Sequence, residues 1–481
     1  MGQCDARSHI TDSRFYSGGY TTSEAKAVFC DLFRYQRWLH VEAVLAESQA
    51  ALGMIPQEAA REIRANAHIG KLDLKQISRD LAVTNHSLMP LLNALSSRCS
   101  ESARRYIHFG ATTQDIQDTA QALEMKDVLD ILERELVAVM EILSKLALEY
   151  KGLVTTGRTH TQDALPTTLG LKMAGWLDEL LRSYQRLGQI RPRVLVTQLF
   201  GGVGTMDAFG DKGLELLREF SSRLGLNAPL TAWHNSRDRI SEFLVWLGFA
   251  TGALARMADE IRGLARSSIG ELEEPFHQGK LGSSTMPHKR NPELCEQVVV
   301  LSRLVGSNAG LGMQALVNEH ERDYRSVRLE WVTVADASQY ACAAFAIAKR
   351  ILKGLIVRHG RIDKNVKSSA PLICSEALMF YLGKELGKDR AHRLIYEAAM
   401  KAVETGREML DVLMDEEEVR AVYSKQELEG VFSPASHVGL ARKLTESVAA
   451  QVEREIEGRK GFQTRSCPLA GPDGSCTVEL S

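Results

Sequence analysis

Aromatic residues are scarce: Phe, Tyr and Trp make up 6% of a 481-residue chain whose apolar content is 44%. An apolar complement dominated by Leu, Ala and Val speaks against a β-rich protein and for helices. Cysteines are few and scattered (Cys4, Cys30, Cys99, Cys295, Cys342, Cys374, Cys467, Cys476), with no C-x-x-C pair and no histidine cluster at zinc-ligand spacing. That pattern argues against a zinc module and predicts reduced thiols in a cytosolic compartment. An excess of one charge is also missing, with 59 Lys+Arg against 61 Asp+Glu. Nothing in that balance demands nucleic acid or an anionic membrane as a partner. No run of about eighteen uninterrupted apolar residues occurs, and Met1 to Thr11 lacks the basic-then-apolar pattern of a secretory signal. A soluble cytoplasmic protein of two or three domains is expected.

The apolar periodicity is helical wherever it is clear. From Glu24 to Leu52, Val28, Leu32, Tyr35 and Leu39 recur at spacings of three and four, and Gly53 and Pro56 end the pattern. From Leu123 to Leu146 the residues Met125, Leu129, Leu132, Leu136, Val139, Leu143 and Leu146 keep the same rhythm without a break. So long a stripe needs long neighbours, and segments 167–189, 239–269, 292–315 and 329–358 supply them. The fold class expected is all-α, built on an elongated bundle. The expected domains are residues 1–111, 112–364 and 365–455, with residues 456–481 a disordered tail.

Several polar segments interrupt the helices. Gly282-Ser283-Ser284-Thr285-Met286-Pro287-His288-Lys289-Arg290-Asn291-Pro292 reads as a loop entering a helix whose first position is Pro292. Free backbone donors and the positive end of the dipole would favour an anion there, beside Lys289 and Asn291. Tyr106 to Ala120 contains Gly110, Thr112, Thr113 and Asp115 before a helix start, which reads both as a capping box and as a carboxylate cradle. His86, before Pro90, reads as a packed or helix-capping residue. His160, in Gly157-Arg158-Thr159-His160-Thr161-Gln162, reads as a histidine in a polar loop. Phe200-Gly201-Gly202-Val203-Gly204-Thr205 is not G-x-G-x-x-G and carries no dinucleotide. Asn318 to Arg328 is dense in charge, as a solvated helix end would be.

Taken together these segments resemble the fumarase/aspartase/argininosuccinate lyase superfamily, whose pattern G-S-S-x-M-P-x-K-x-N matches residues 282–291. The phrase Ala111-Thr112-Thr113-Gln114-Asp115 is similar to that of the adenylosuccinate lyase and 3-carboxymuconate cycloisomerase branch, and Gly157-Arg158-Thr159-His160 resembles the superfamily's second region. The resemblance implies a three-domain fumarase/aspartase-like fold with a central long-helix bundle. It also implies a homotetramer with shared active sites, a small-molecule dicarboxylate substrate, no cofactor, no metal, no nucleic acid and no membrane. The reaction it implies is elimination from a substituted succinate, adenylosuccinate-like or another aspartate-derived or nitro-substituted succinate, with release of fumarate.

By resemblance, Ser283 is the base, and His160, oriented by Glu296, protonates the leaving group. Lys289, Asn291, Thr112 and Thr113 stabilise the dianion, while Met286, His86, His108 and Arg322 complete the substrate site. Two departures from the adenylosuccinate pattern, Ser87 in place of Asp and Ser236 in place of Gln, argue against a nucleotide leaving group. The wording DSRF, ATTQD, ALPTTLGLK and RPRVLV sits nearer the cycloisomerases, whose bacterial members usually have Trp where His160 stands. Ring closure of 3-carboxymuconate is therefore the alternative activity, and a catalytically silent structural relative the alternative of another kind.

Overall fold

A computed structural model describes residues 8–276, 279, 285, 286 and 288–458. The expected first helix is two: Ser23–Val28, then α1, Asp31–Ala51. Cys30 between them has an extended backbone (φ −62°, ψ 134°) and opens α1 as its N-cap residue. No glycine or proline marks that break. Gly53 (φ 68°) follows the end of α1 in the left-handed region, and Pro56 starts the next helix, so both expected stop signals act as such.

The centre of the molecule is a set of long helices running alternately up and down. These are α2, Thr113–Glu149; α3, Leu169–Val194; α4, Asp238–Leu264; α5, Glu293–Gln314; and α6, Tyr324–Lys353. The stripe from Met125 to Leu143 on α2 is fully buried against them, as its spacing required. α4 is apolar and long enough to cross a bilayer, yet 61% of its most apolar window is buried in the bundle, the mark of a core helix.

Between α2 and α3 the expected polar loop is an antiparallel hairpin, β1 (Val154–Thr159) with β2 (Gln162–Thr168), in register from Val154 opposite Thr168 to Thr159 opposite Gln162. A second, two-residue pair joins β3, Leu272–Glu273, to β4, Ile356–Val357. α7, His359–Ile373, then leads away from the bundle, and its Ile362 and Val366 still belong to the main core. Residues 378–431 close a separate small core around Leu378, Leu394, Leu413 and Leu428. The last helix, α8, Ala441–Glu457, returns to the bundle and places Val452 and Ile456 in the main core. The expected tail, beyond its first residues, lies outside the described residues.

Candidate active site

The amino end of α2 is assembled around one carboxylate. Asp115 is fully buried, and its Oδ2 accepts the N–H of Thr112 at 3.0 Å and of Gly201 at 2.9 Å. Its Oδ1 accepts the N–H of Phe200 at 3.0 Å and meets Nε2 of His234 at 3.0 Å. Thr112 is the N-cap and Thr113 the first helical residue, so Asp115 reaches back to the cap instead of bonding first-turn amides. The loop can present two successive N–H groups because Gly201 (φ 75°) and Gly204 (φ 90°) turn the chain through conformations other residues avoid.

One turn further along, buried Arg237 bridges Asp118, at 2.8 and 3.0 Å, and Glu330, at 2.8 Å, and lies over the ring of Trp233. Burial opposes the charge on Arg237, but the two carboxylates outweigh it and raise its pKa. Burial also pushes the Glu330 carboxyl up, as expected where two carboxylates share one guanidinium.

Five of the expected substrate residues meet at this end. Arg322 donates through Nη1 to Oγ1 of Thr112 at 2.7 Å, and Thr113 adjoins it. The loop carrying Arg322 is stitched down by Asn235, which donates to the carbonyl of His320, and by Asn318, which donates to the carbonyl of Asn235 at 3.0 Å. His108, in the left-handed region at φ 60°, places Nδ1 2.7 Å from Oε1 of buried Glu42. His86 caps the helix Met89–Ser97, its Nδ1 accepting the N–H groups of Leu88 at 3.3 Å and Met89 at 3.1 Å. Next to it Ser87 accepts from Nε2 of Gln117, on the second turn of α2, at 2.7 Å.

The hairpin lies elsewhere. α2 has 37 residues, so at a rise of 1.5 Å per residue it is about 55 Å long. Thr112 marks one end, while the hairpin follows the other, where Tyr150 accepts the N–H of Gly170 at 2.9 Å. His160 (φ 50°) and Thr161 (φ 67°) are the two turn residues at its exposed tip. Both have positive φ, which a two-residue hairpin of this hand demands and which Asn-Gly usually supplies. Within one chain His160 therefore cannot reach Thr112 or Arg322.

Below the tip, Arg158 forks onto buried Glu271, at 2.7 and 3.2 Å, and Glu271 also accepts from Thr155 and Asn365. Glu273 accepts from Arg358 at 2.6 Å and from Arg290 at 3.1 Å. Glu274 accepts the N–H groups of Leu294 at 3.2 Å and Cys295 at 3.0 Å.

That last contact corrects an expectation. Pro292 is the N-cap of α5 and Glu293 its first residue, and two of the amides expected to await a substrate anion are taken by the protein's own Glu274. Met286 and Lys289 are exposed and Asn291 is half-buried on this approach to α5. Glu296 is exposed in the first turn of α5, and among the described residues no hydrogen bond joins it to His160. Ser283 lies outside the described residues. A groove of about 480 Å³ between β2 and the small carboxy-terminal core, lined by Leu165, Phe380, Tyr381 and Lys384, holds none of the expected site residues.

Residues 18–306 match the family described as Lyase, and residues 371–448 match the adenylosuccinate lyase C-terminus. The chain belongs to the lyase family of the fumarase/aspartase superfamily. It is 40% identical to the N-acetyl-S-(2-succino)cysteine lyase of Enterococcus italicus over 92% of this chain and 97% of that one. It is 39% identical to the adenylosuccinate lyase of Pyrococcus abyssi, over 92% and 98% of the two chains. The crystal structure of the 3-carboxy-cis,cis-muconate lactonizing enzyme from Pseudomonas putida superposes with a TM-score of 0.86 at 33% identity, covering 92% of this chain and all of that one. The all-α multi-domain fold expected of the superfamily is thus the fold of this lyase.

No local motif in this lyase announces Glu42, His234 or the acidic run Glu271, Glu273 and Glu274. Glu42 had left a trace, since it is a lone acid inside the apolar stretch Val41 to Ala46, and such a charge implies a buried partner. The run Glu271-Leu272-Glu273-Glu274-Pro275 also carries three acids between a long helix and the signature loop. Their partners come from residues as distant as Arg158 and Arg358, which no local spacing reveals.

Proposed function

We propose that this lyase removes a proton and a heteroatom leaving group from neighbouring carbons of a 2-substituted succinate, releasing fumarate. The observation that carries the reading is the cluster of hydrogen-bond donors at the amino end of α2, where Arg322 sits on Thr112 and His108 is paired with Glu42. A dicarboxylate needs such donors, and more so once proton removal gives it a third negative charge. In this reading Ser283 takes the proton from the carbon beside a carboxylate, and Lys289, Asn291, Thr112 and Thr113 stabilise the resulting aci-carboxylate group, which carries two of the three negative charges. The bond to the heteroatom then breaks, and His160, with Glu296 as its carboxylate, supplies a proton to the leaving group. His86, His108, Met286 and Arg322 hold the substrate.

Sulfur is the heteroatom the relatives favour first, because the Enterococcus italicus enzyme is named for a succinylated cysteine. Ser87 agrees with a leaving group smaller than a nucleotide: its hydroxyl is held by Gln117 where the adenylosuccinate pattern has an acid. Nitrogen is the second reading, supported by the Pyrococcus abyssi relative, and covers aspartate-derived and nitro-substituted succinates.

The separation of about 55 Å along α2 supports an assembly in which one copy's hairpin serves another copy's helix end. A homotetramer with shared sites meets that need. Four described cysteines, Cys30, Cys99, Cys342 and Cys374, are free thiols, in keeping with a cytoplasmic enzyme. The proposed domains are residues 1–111, 112–364 and 365–455.

The deciding experiment incubates the purified protein separately with N-acetyl-S-(2-succino)cysteine, adenylosuccinate, argininosuccinate, nitrosuccinate and 3-carboxymuconate. Fumarate is followed by its low-ultraviolet absorbance and thiol by a colorimetric reagent. Fumarate and thiol in equal amounts from the first substrate are expected. Turnover of the muconate without fumarate from any succinate would replace elimination by ring closure.

A further inference from the structure

Glu42 stands in an unusual place for an acid. It lies inside α1 between Val41 and Ala43, on a face turned into the main core, and is 2% exposed. A carboxylate so placed is strongly disfavoured unless an opposite charge accompanies it. Among the described residues its Oε1 meets one partner, Nδ1 of His108 at 2.7 Å, and its Oε2 meets none. No lysine or arginine pairs with it among the described residues, so the counter-charge falls to His108.

The surroundings of His108 fix the ring as well. Its backbone is held at φ 60°, a conformation a non-glycine residue keeps only when its neighbours impose it. Two residues on, Gly110 (φ 78°) lies so close to Phe209 that an added Cβ would come within 2.4 Å of that ring. The turn from His108 to Thr112 is therefore pinned from both sides. With Nδ1 committed to Glu42, only Nε2 is left for a ligand, and in the doubly protonated ring it is a donor.

Burial opposes protonation of His108, but Glu42 outweighs it, with Asp115 adding in the same direction, so the pKa is raised above the ordinary 6.5. Among the described residues, the charged groups acting on the ring are Glu42 from α1 and Asp115 from the first turn of α2, both acidic.

We infer that Glu42 is a positioning residue for substrate binding: its buried carboxylate sets the His108 ring so that the Nε2 hydrogen is presented to a substrate carboxylate. This rests on the succinate reading of the site, and the two are separable by experiment. In the full-length protein, Glu42→Gln and His108→Gln are compared with wild type in three measurements: histidine ring NMR titration, fumarate binding by calorimetry, and kcat and KM on the best succinate substrate.

Removing a charge-assisted hydrogen bond should weaken fumarate binding by about 10- to 100-fold below about pH 6.5, where His108 carries its proton. KM should rise by a similar factor while kcat stays within about threefold. In Glu42→Gln the His108 titration should move down towards that of a free histidine, and the double variant should bind no worse than either single one. Wild-type fumarate affinity in Glu42→Gln, or a loss confined to thermal stability, overturns the inference. Should that variant fail to fold, unchanged affinity in His108→Gln overturns it equally. If wild type itself binds no fumarate the succinate reading falls, and the His108 titration still decides whether Glu42 governs the ring.

Discussion

Asp115 meets three backbone N–H groups and one imidazole with two oxygens, so no neutral residue of the same size can replace it without loss. In Asp115→Asn one side of the side chain becomes an NH2 group, which must face a backbone N–H or the ring of His234. Breaking a buried charged network in this way should cost about 3–5 kcal/mol, read as a lower urea midpoint. Fumarate release should fall with it, because the same carboxylate sets Thr112. His108 gives a second expectation, with a definite sign in pH. Its folded pKa is raised, so the stabilisation it contributes is complete below about 6.5 and is lost as pH climbs through the folded value. Urea unfolding at stepped pH should show wild type losing stability as pH rises above about 6.5, and Glu42→Gln losing less over the same range. Neither residue could be assigned this part from the sequence. Asp115 looked like an ordinary capping acid because its further partners, Phe200, Gly201 and His234, are 85 to 119 positions away.

The long helices were legible because a three/four apolar rhythm has one cheap solution, a buried stripe, and the stripe on α2 is buried as that rhythm requires. The hairpin Val154–Thr168 was not legible, since its residues are mostly polar, Pro166 falls within it, and its turn has neither Asn nor Gly. The break at Cys30 was hidden for the same kind of reason, because the apolar spacing continues across it.

The hairpin also yields a prediction at its own scale. Asn tolerates the left-handed backbone that His160 occupies, so His160→Asn should keep the turn while removing the proposed proton donor. On an amine-releasing succinate, loss of the general acid should lower kcat by about 10²–10⁴-fold. A thiol with a pKa of about 8.5 departs as thiolate with far less help, so the same variant should lose much less on a succinylated thiol. Equal losses on both substrates, measured in the same fumarate assay, would remove His160 from the role of acid.

At the scale of the whole molecule, length is the strongest constraint. The groups around Thr112 and the hairpin tip lie at opposite ends of a 37-residue helix, and no side-chain motion closes a gap of about 55 Å. If both ends take part in one reaction, they come from different copies. Exposed apolar residues on the bundle, among them Phe249 on α4, Val300 and Leu311 on α5 and Val332 on α6, offer the surface such copies would cover. The consequence can be measured with two inactive proteins. Thr112→Val disables the helix end and His160→Asn the hairpin, and each alone should assemble into a homo-oligomer inactive on an amine-releasing succinate, the substrate used throughout. When the two are unfolded together, mixed in equal amounts and refolded, random assortment gives about a quarter of the sites an intact helix end and an intact hairpin from different chains. Fumarate release should return to about that fraction of wild type, while mixing without exchange of chains should restore nothing. A mixture as inactive as its parents after verified exchange would mean that the two ends never serve one site, and the roles given to His160 and to the Thr112 cluster could not both stand.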